Sequence, residues 1–156
     1  MWKPIALATL ASGTLDILFA IILTLLFGRD VGTMLRSVAS GPFPAATDMG
    51  TSGTILGLVV HFALMAIMAI VFVMAARARP AILTRPVASG IAYGLVTYVV
   101  LDLIVVPLRF PGAFPPKTMS IATQLFAHIV LVGLVFAFIA RRTMKSEPTV
   151  RAAAAA

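Results

Sequence analysis

Four long apolar runs separated by short polar segments dominate the chain. They cover roughly residues 5–27, 53–76, 87–108 and 119–140. Each is long enough to cross a hydrocarbon core, which takes about 20 residues of helix. Helix is the only backbone state that satisfies its own hydrogen bonds in lipid without closing a barrel. The pattern therefore predicts an all-α, polytopic membrane four-helix bundle, threaded up-down-up-down, as a single domain over residues 1–145 with a tail at 146–156.

Small and polar residues fall on one face of each run at i, i+3/i+4 spacing. The first run gives Thr9, Ser12, Gly13, Asp16 and Ala20; the second gives Gly53, Gly57, His61 and Met65, continuing to Met68 and Phe72. The third gives Gly90, Gly94, Tyr98 and Asp102, and the fourth Ser120, Gln124, His128 and Val132. The opposite faces are Leu, Ile, Val and Phe, as lipid-facing surfaces should be. Small residues let helix backbones approach, and Gly53-x-x-x-Gly57 and Gly90-x-x-x-Gly94 have helix-contact spacing. The polar stripes are expected to converge on one interior seam.

The connecting segments carry their own patterns. Val31, Met34, Leu35 and Val38 form an apolar stripe that predicts a short helix on the outer interface, broken by Gly41-Pro42-Phe43-Pro44. The segment Arg109–Pro116 is stiff and aromatic, suited to interfacial anchoring or to a lid. Ala11-Ser12-Gly13 and Ala88-Ser89-Gly90 open polar faces in each half of the chain, and His61 and His128 each precede an apolar run ending in arginine. A tandem repeat of two helical hairpins would give this pattern.

Composition sharpens the membrane reading. The 156 residues are 61% hydrophobic, which leaves no room for a soluble domain. The net charge of +7 invites a nucleic-acid partner, but the placement of the charges points to lipid headgroups. Lys3, Arg77, Arg79, Arg85, Arg141, Arg142, Lys145 and Arg151 fall on one side of the threading, and only Arg29, Arg36, Arg109 and Lys117 on the other, where Asp30 and Asp48 offset two of them. By the positive-inside rule both termini are expected in the cytoplasm. The first run is too long for a signal peptide and no A-x-A site follows it, so it reads as a retained anchor, with Trp2 at the interface. Cysteine is absent, which excludes disulfides, thiolate metal sites and cysteine nucleophiles.

The chemistry of the chain narrows to one ionisable residue per run: Asp16, His61, Asp102 and His128. Such residues are costly in lipid, so they face the bundle interior and mark function. Counted from the outer ends, they lie roughly 16, 12, 9 and 13 Å deep, all in the outer half of the bilayer. Three readings fit. The Asp and His side chains pair, with Tyr98 and Gln124 as further hydrogen-bond partners, and serve as polar links between helices. Alternatively, His61 and His128 ligate a b-type haem, or complete a divalent-metal site with the two aspartates. In the third, the cluster of Asp16, Asp102, Tyr98 and Gln124 with the histidines handles protons or ions.

From Val60-His61 through Ala88-Ser89-Gly90, Val106-Pro107-Leu108 and Ala127-His128, the chain resembles the YagU-type family of small bacterial inner-membrane proteins, mainly over residues 57–142. That resemblance implies a helical bundle in a bacterial cytoplasmic membrane and little about activity. No nucleophile elbow, phosphate loop or H-E-x-x-H occurs. The expected role is therefore non-enzymatic: a structural or accessory membrane protein, with other membrane subunits as partners and no nucleic acid. No cofactor is expected under that role. Haem, metal or ion handling by the intramembrane Asp/His cluster is the alternative.

Overall fold

The computed structural model describes residues 2–113 and 115–144, and among these it is all-helical. Four helices are long and apolar enough to cross a membrane: α1 (Trp2–Leu26), α3 (Gly50–Ala78), α4 (Pro86–Arg109) and α5 (Thr118–Met144). A short helix, α2 (Val31–Ser40), lies between the first two. The expected tail at 146–156 and Phe114 of the aromatic segment fall outside the described residues.

Each boundary has a local cause. α1 ends at Gly28, whose φ of +64° lets the chain turn back. The Gly28 N–H then reaches the Leu25 carbonyl and the Arg29 N–H the Thr24 carbonyl, so the last turn keeps its hydrogen bonds. α2 starts on Asp30, whose carboxylate accepts from the Thr33 N–H at 2.6 Å and the Thr33 hydroxyl at 2.7 Å. These bonds hold the Asp30 carboxyl below the usual carboxylate range. α4 opens with a proline in its first turn, where the missing N–H costs nothing.

α1 packs on α3 and α5, and α4 packs on α5. One end of the bundle is close-packed. Ala69, Val73, Ala76, Phe136, Ala140 and Met144 are almost fully buried there, with Leu83 of the turn Pro80–Leu83 inserted among them. Phe72, Tyr93 and Phe136 form an aromatic floor above this core: the Phe72 and Tyr93 rings meet edge-on at 5.0 Å, and Phe136 lies 6.1 Å from Tyr93. The Tyr93 hydroxyl donates to the Met68 carbonyl at 2.7 Å, tying α4 to α3 at that level. Beyond the floor the bundle is hollow.

The two glycine pairs do different jobs. A Cβ on Gly94 would lie 2.4 Å from the His128 carbonyl oxygen, so α4 and α5 touch backbone to backbone, as the small-residue spacing predicts. A Cβ on Gly57 would lie 2.0 Å from the Leu35 carbonyl oxygen. Gly57 therefore seats α2, and Gly53 the turn Pro44–Asp48 that follows it through the Ala46 carbonyl, not another long helix. α2 buries Leu35 and Ala39 against α3, where the sequence pattern placed it free on the interface.

Candidate functional site

Two of the long helices widen locally into underwound π geometry, α4 over Val99–Val105 and α5 over Ala127–Leu134. Each π segment carries an ionisable residue, Asp102 and His128, and such segments concentrate at functional sites. The His128 Nε2 stands 2.9 Å from Asp102 Oδ2, while the Gln124 amide donates to Asp102 Oδ1 at 3.0 Å. Both carboxyl oxygens of Asp102 are thus engaged. On its other side, His128 Nδ1 lies 3.0 Å from the Thr97 hydroxyl, which itself reaches the Gly94 carbonyl at 3.0 Å.

These partners constrain the proton. With the Thr97 hydroxyl donating to Gly94, His128 Nδ1 must be the donor to Thr97. The remaining proton then lies between His128 Nε2 and the Asp102 carboxyl. Turning the Thr97 hydroxyl toward Nδ1 instead fixes an N–H on Nε2, pointing at a carboxylate. The two arrangements differ by one proton, so rotation of the Thr97 hydroxyl is coupled to gain or loss of a proton by the pair.

The second pair is looser. His61 Nε2 lies 2.9 Å from the Gly13 carbonyl oxygen, an acceptor only, so this nitrogen carries the proton. Its Nδ1 faces Asp16 Oδ2 at 3.9 Å, too far for a hydrogen bond. Asp16 also lies within Coulombic reach of His128 and Asp102, so the two pairs form one cluster. The sequence stripes brought together Asp16, His61, Asp102, Gln124 and His128. Tyr98 joins them only by its ring, edge-on to His128 at 6.1 Å.

Two members had no clear sequence signal. Thr97 sits one position from Tyr98, and it faces α5 together with the Tyr98 ring. Ser12 lay on the expected stripe without a role. It is fully buried, and its hydroxyl donates to the Leu131 carbonyl at 2.7 Å inside the α5 π segment, pinning α1 to that stretch.

All four ionisable residues line a cavity of about 1200 Å³ between α3 and α4. Val60, Leu64, Met65 and Met68 form one wall, Leu101, Val105 and Val106 the other, and Met34, Ser37 and Val38 of α2 lie across the mouth. Arg109 at the end of α4 bridges that mouth: its Nε donates to the Gly41 carbonyl at 2.8 Å and its Nη2 to the Ser40 carbonyl at 2.9 Å. The guanidinium thus caps the C-terminus of α2, a favourable place for a cation. A second cavity of about 700 Å³ lies on the other side of Asp16, which lines both.

The haem and metal readings do not fit these donors. A bis-histidine haem needs one free ring nitrogen from each residue facing the iron. His61 keeps Nδ1 free, with its Nε2 on a backbone carbonyl, but His128 has both nitrogens engaged and offers none. Among the described residues no group of three or more His, Asp or Glu could hold a metal ion.

No family model matches the chain, and neither a curated protein nor a solved structure matches it.

Proposed function

We propose that the protein is a membrane-embedded binding protein whose Asp/His cluster exchanges protons with what enters the α3–α4 cavity. The observation that carries this reading is that both Asp–His pairs face a cavity of about 1200 Å³. Polar side chains that only link helices are enclosed between them. Here the carboxylates and imidazoles form the wall of a space larger than the usual 300–1,000 Å³ or so of a small-molecule site. The rings of Phe72, Tyr93 and Phe136 pack against one another in the core, and none of them lines the cavity.

In this reading the helices thread up-down-up-down with both termini in the cytoplasm. The membrane is the bacterial cytoplasmic one, in keeping with the basic residues at the Arg77 and Arg141 ends and with the YagU-type resemblance. The two hairpins then form a parallel tandem pair, each contributing an aspartate from its first helix and a histidine from its second. The activity is binding and proton exchange, with no covalent chemistry. Infrared difference spectroscopy tests it. Acidifying the purified protein is expected to produce a carboxylic-acid band that Asp16→Asn removes. Identical acid-induced spectra for the two proteins would overturn the reading.

A specific observation also favours the accessory-subunit reading. Only 17% of the most apolar stretch of α4 is buried within the chain, against 39% for α3. A partner helix from another membrane subunit would cover that face. Extraction in mild detergent after cross-linking would reveal such a partner, and a monomer under all conditions would exclude it.

A further inference from the structure

The two aspartates are not equivalent. Asp102 has His128 on one oxygen and Gln124 on the other. Asp16, by contrast, has His61 Nδ1 at 3.9 Å as its nearest ion-pair partner, beyond hydrogen-bond distance. A carboxylate in a low-dielectric site without full hydrogen bonding needs either a proton or a cation. Both aspartates line both cavities, but Asp102 has a partner on each oxygen and Asp16 only the longer contact to His61.

The charge distribution says which ligand suits that cavity. No Lys or Arg belongs to its deep lining. The two arginines at its mouth are committed elsewhere: Arg109 to the Ser40 and Gly41 carbonyls, Arg29 over the Phe27 ring at 5.8 Å and next to Asp30. Toward the aromatic floor, below His61, the walls become apolar, with Leu64, Met65, Met68 and Leu101. Methionine side chains are flexible and polarisable, so a pocket lined by them adapts to differing apolar shapes. The site thus offers one under-satisfied carboxyl beside an adaptable apolar chamber.

Resting on the binding reading above, we infer that the cavity takes a lipophilic monocation: a positive centre held at Asp16, with its apolar body among Leu64, Met65, Met68 and Leu101. Cation and proton compete for the same carboxylate. Asp16 is faced by His61 from α3, Asp102 from α4 and His128 from α5, with Arg29 and Asp30 at the mouth. Protonation of either histidine adds positive charge beside the site and weakens cation binding, in the same direction as protonation of Asp16 itself. Acidification therefore releases the ligand.

Tetraphenylphosphonium, with neutral triphenylphosphine oxide as its control, tests this on the full chain in nanodiscs. Saturable phosphonium binding above that of empty nanodiscs is expected. It should weaken at least about tenfold in Asp16→Asn and recover in Asp16→Glu, and it should fall on acidification. The neutral control should bind no better to the protein than to lipid. Absence of saturable binding, equal affinity in Asp16→Asn, or equal binding of the neutral control would overturn the inference. If the Asp16 infrared band persists while phosphonium does not bind, only the ligand assignment fails. If the band is absent too, the proton-exchange reading fails with it.

Discussion

His128 and Asp102 are held 2.9 Å apart, each carried by a π-helical segment of its own helix, α5 and α4. An unbroken α-helix would distribute these side chains differently along each face, because a π turn inserts one extra residue into the winding. The wider π winding also leaves carbonyls in altered positions, and the buried Ser12 hydroxyl takes one of them, that of Leu131.

The tight pair and the loose pair should differ in energy. Truncating one partner of a buried charged pair leaves the other unpaired and costs about 3–5 kcal/mol. Asp102→Ala is expected near the lower end of that range, since both side chains keep some exposure. A double-mutant cycle with His128→Ala, followed by unfolding in mixed detergent, should show a coupling above about 1 kcal/mol. The cycle of Asp16→Ala with His61→Ala should show less than the Asp102–His128 cycle. Equal couplings would contradict the difference between 2.9 and 3.9 Å.

Glycine substitutions separate two interfaces. Gly94→Ala puts a methyl group 2.4 Å from the His128 carbonyl oxygen, so α4 and α5 must move apart, at a cost of about 1–3 kcal/mol or more. Gly57→Ala meets the Leu35 backbone instead, and should loosen α2 while leaving the α4–α5 pair intact. Gly112→Ala meets nothing within 4 Å and should not change stability. Thermal unfolding of the three variants, with hydrogen exchange at α2 as the local readout, checks the order.

The cap of α2 responds to pH. The folded state depresses the Asp30 carboxyl, chiefly through the Thr33 hydroxyl and then the Thr33 N–H. Its contribution is therefore fully present above the ordinary aspartate value and is lost as pH falls through the depressed one. Hydrogen exchange at the first turn of α2 should quicken over that acidic window, and Asp30→Ala should exchange quickly at every pH. Protection in Asp30→Ala equal to the unmodified chain would contradict the capping role.

Arg109 should act on the other end of the same helix. Removing its guanidinium in Arg109→Ala leaves the Ser40 and Gly41 carbonyls without their cap and frees the mouth of the cavity. Phosphonium release from Arg109→Ala is expected to be faster than from the unmodified chain, with smaller changes for Arg109→Lys, which keeps the charge but loses the two-pronged geometry. Unchanged release rates in both variants would remove α2 and Arg109 from any gating role.

Much of this was legible before the fold was known, and the reasons are physical. The long helices follow from apolar runs that lipid thickness makes unambiguous, and their ends fall within a few residues of the hydropathy boundaries. Asp16, His61, Asp102 and His128 share a seam because i, i+4 spacing and the cost of charge in lipid act together. What hydropathy could not carry was the π winding, which has no compositional signature, or the choice of Thr97 over its neighbour Tyr98 as the hydrogen-bond partner of His128. Nor could it show that Gly57 receives a short polar-flanked helix and Gly53 the turn after it, since a small-residue stripe specifies a close approach and not its partner. The hollow between α3 and α4 was invisible for a similar reason: a cavity is a property of helices that do not touch.

The most direct test of the account uses the absence of native cysteine. Leu64 lines the cavity, whereas Ile67, three residues on in the same helix, is exposed on the outer surface and lines neither cavity. In nanodiscs, a charged, membrane-impermeant maleimide should label Leu64→Cys and leave Ile67→Cys unmodified, because only the former faces water through the mouth. Prior binding of tetraphenylphosphonium should protect Leu64→Cys. If both cysteines resist the reagent, or both react alike, the cavity is not an accessible site and the Asp/His cluster is reduced to a link between helices.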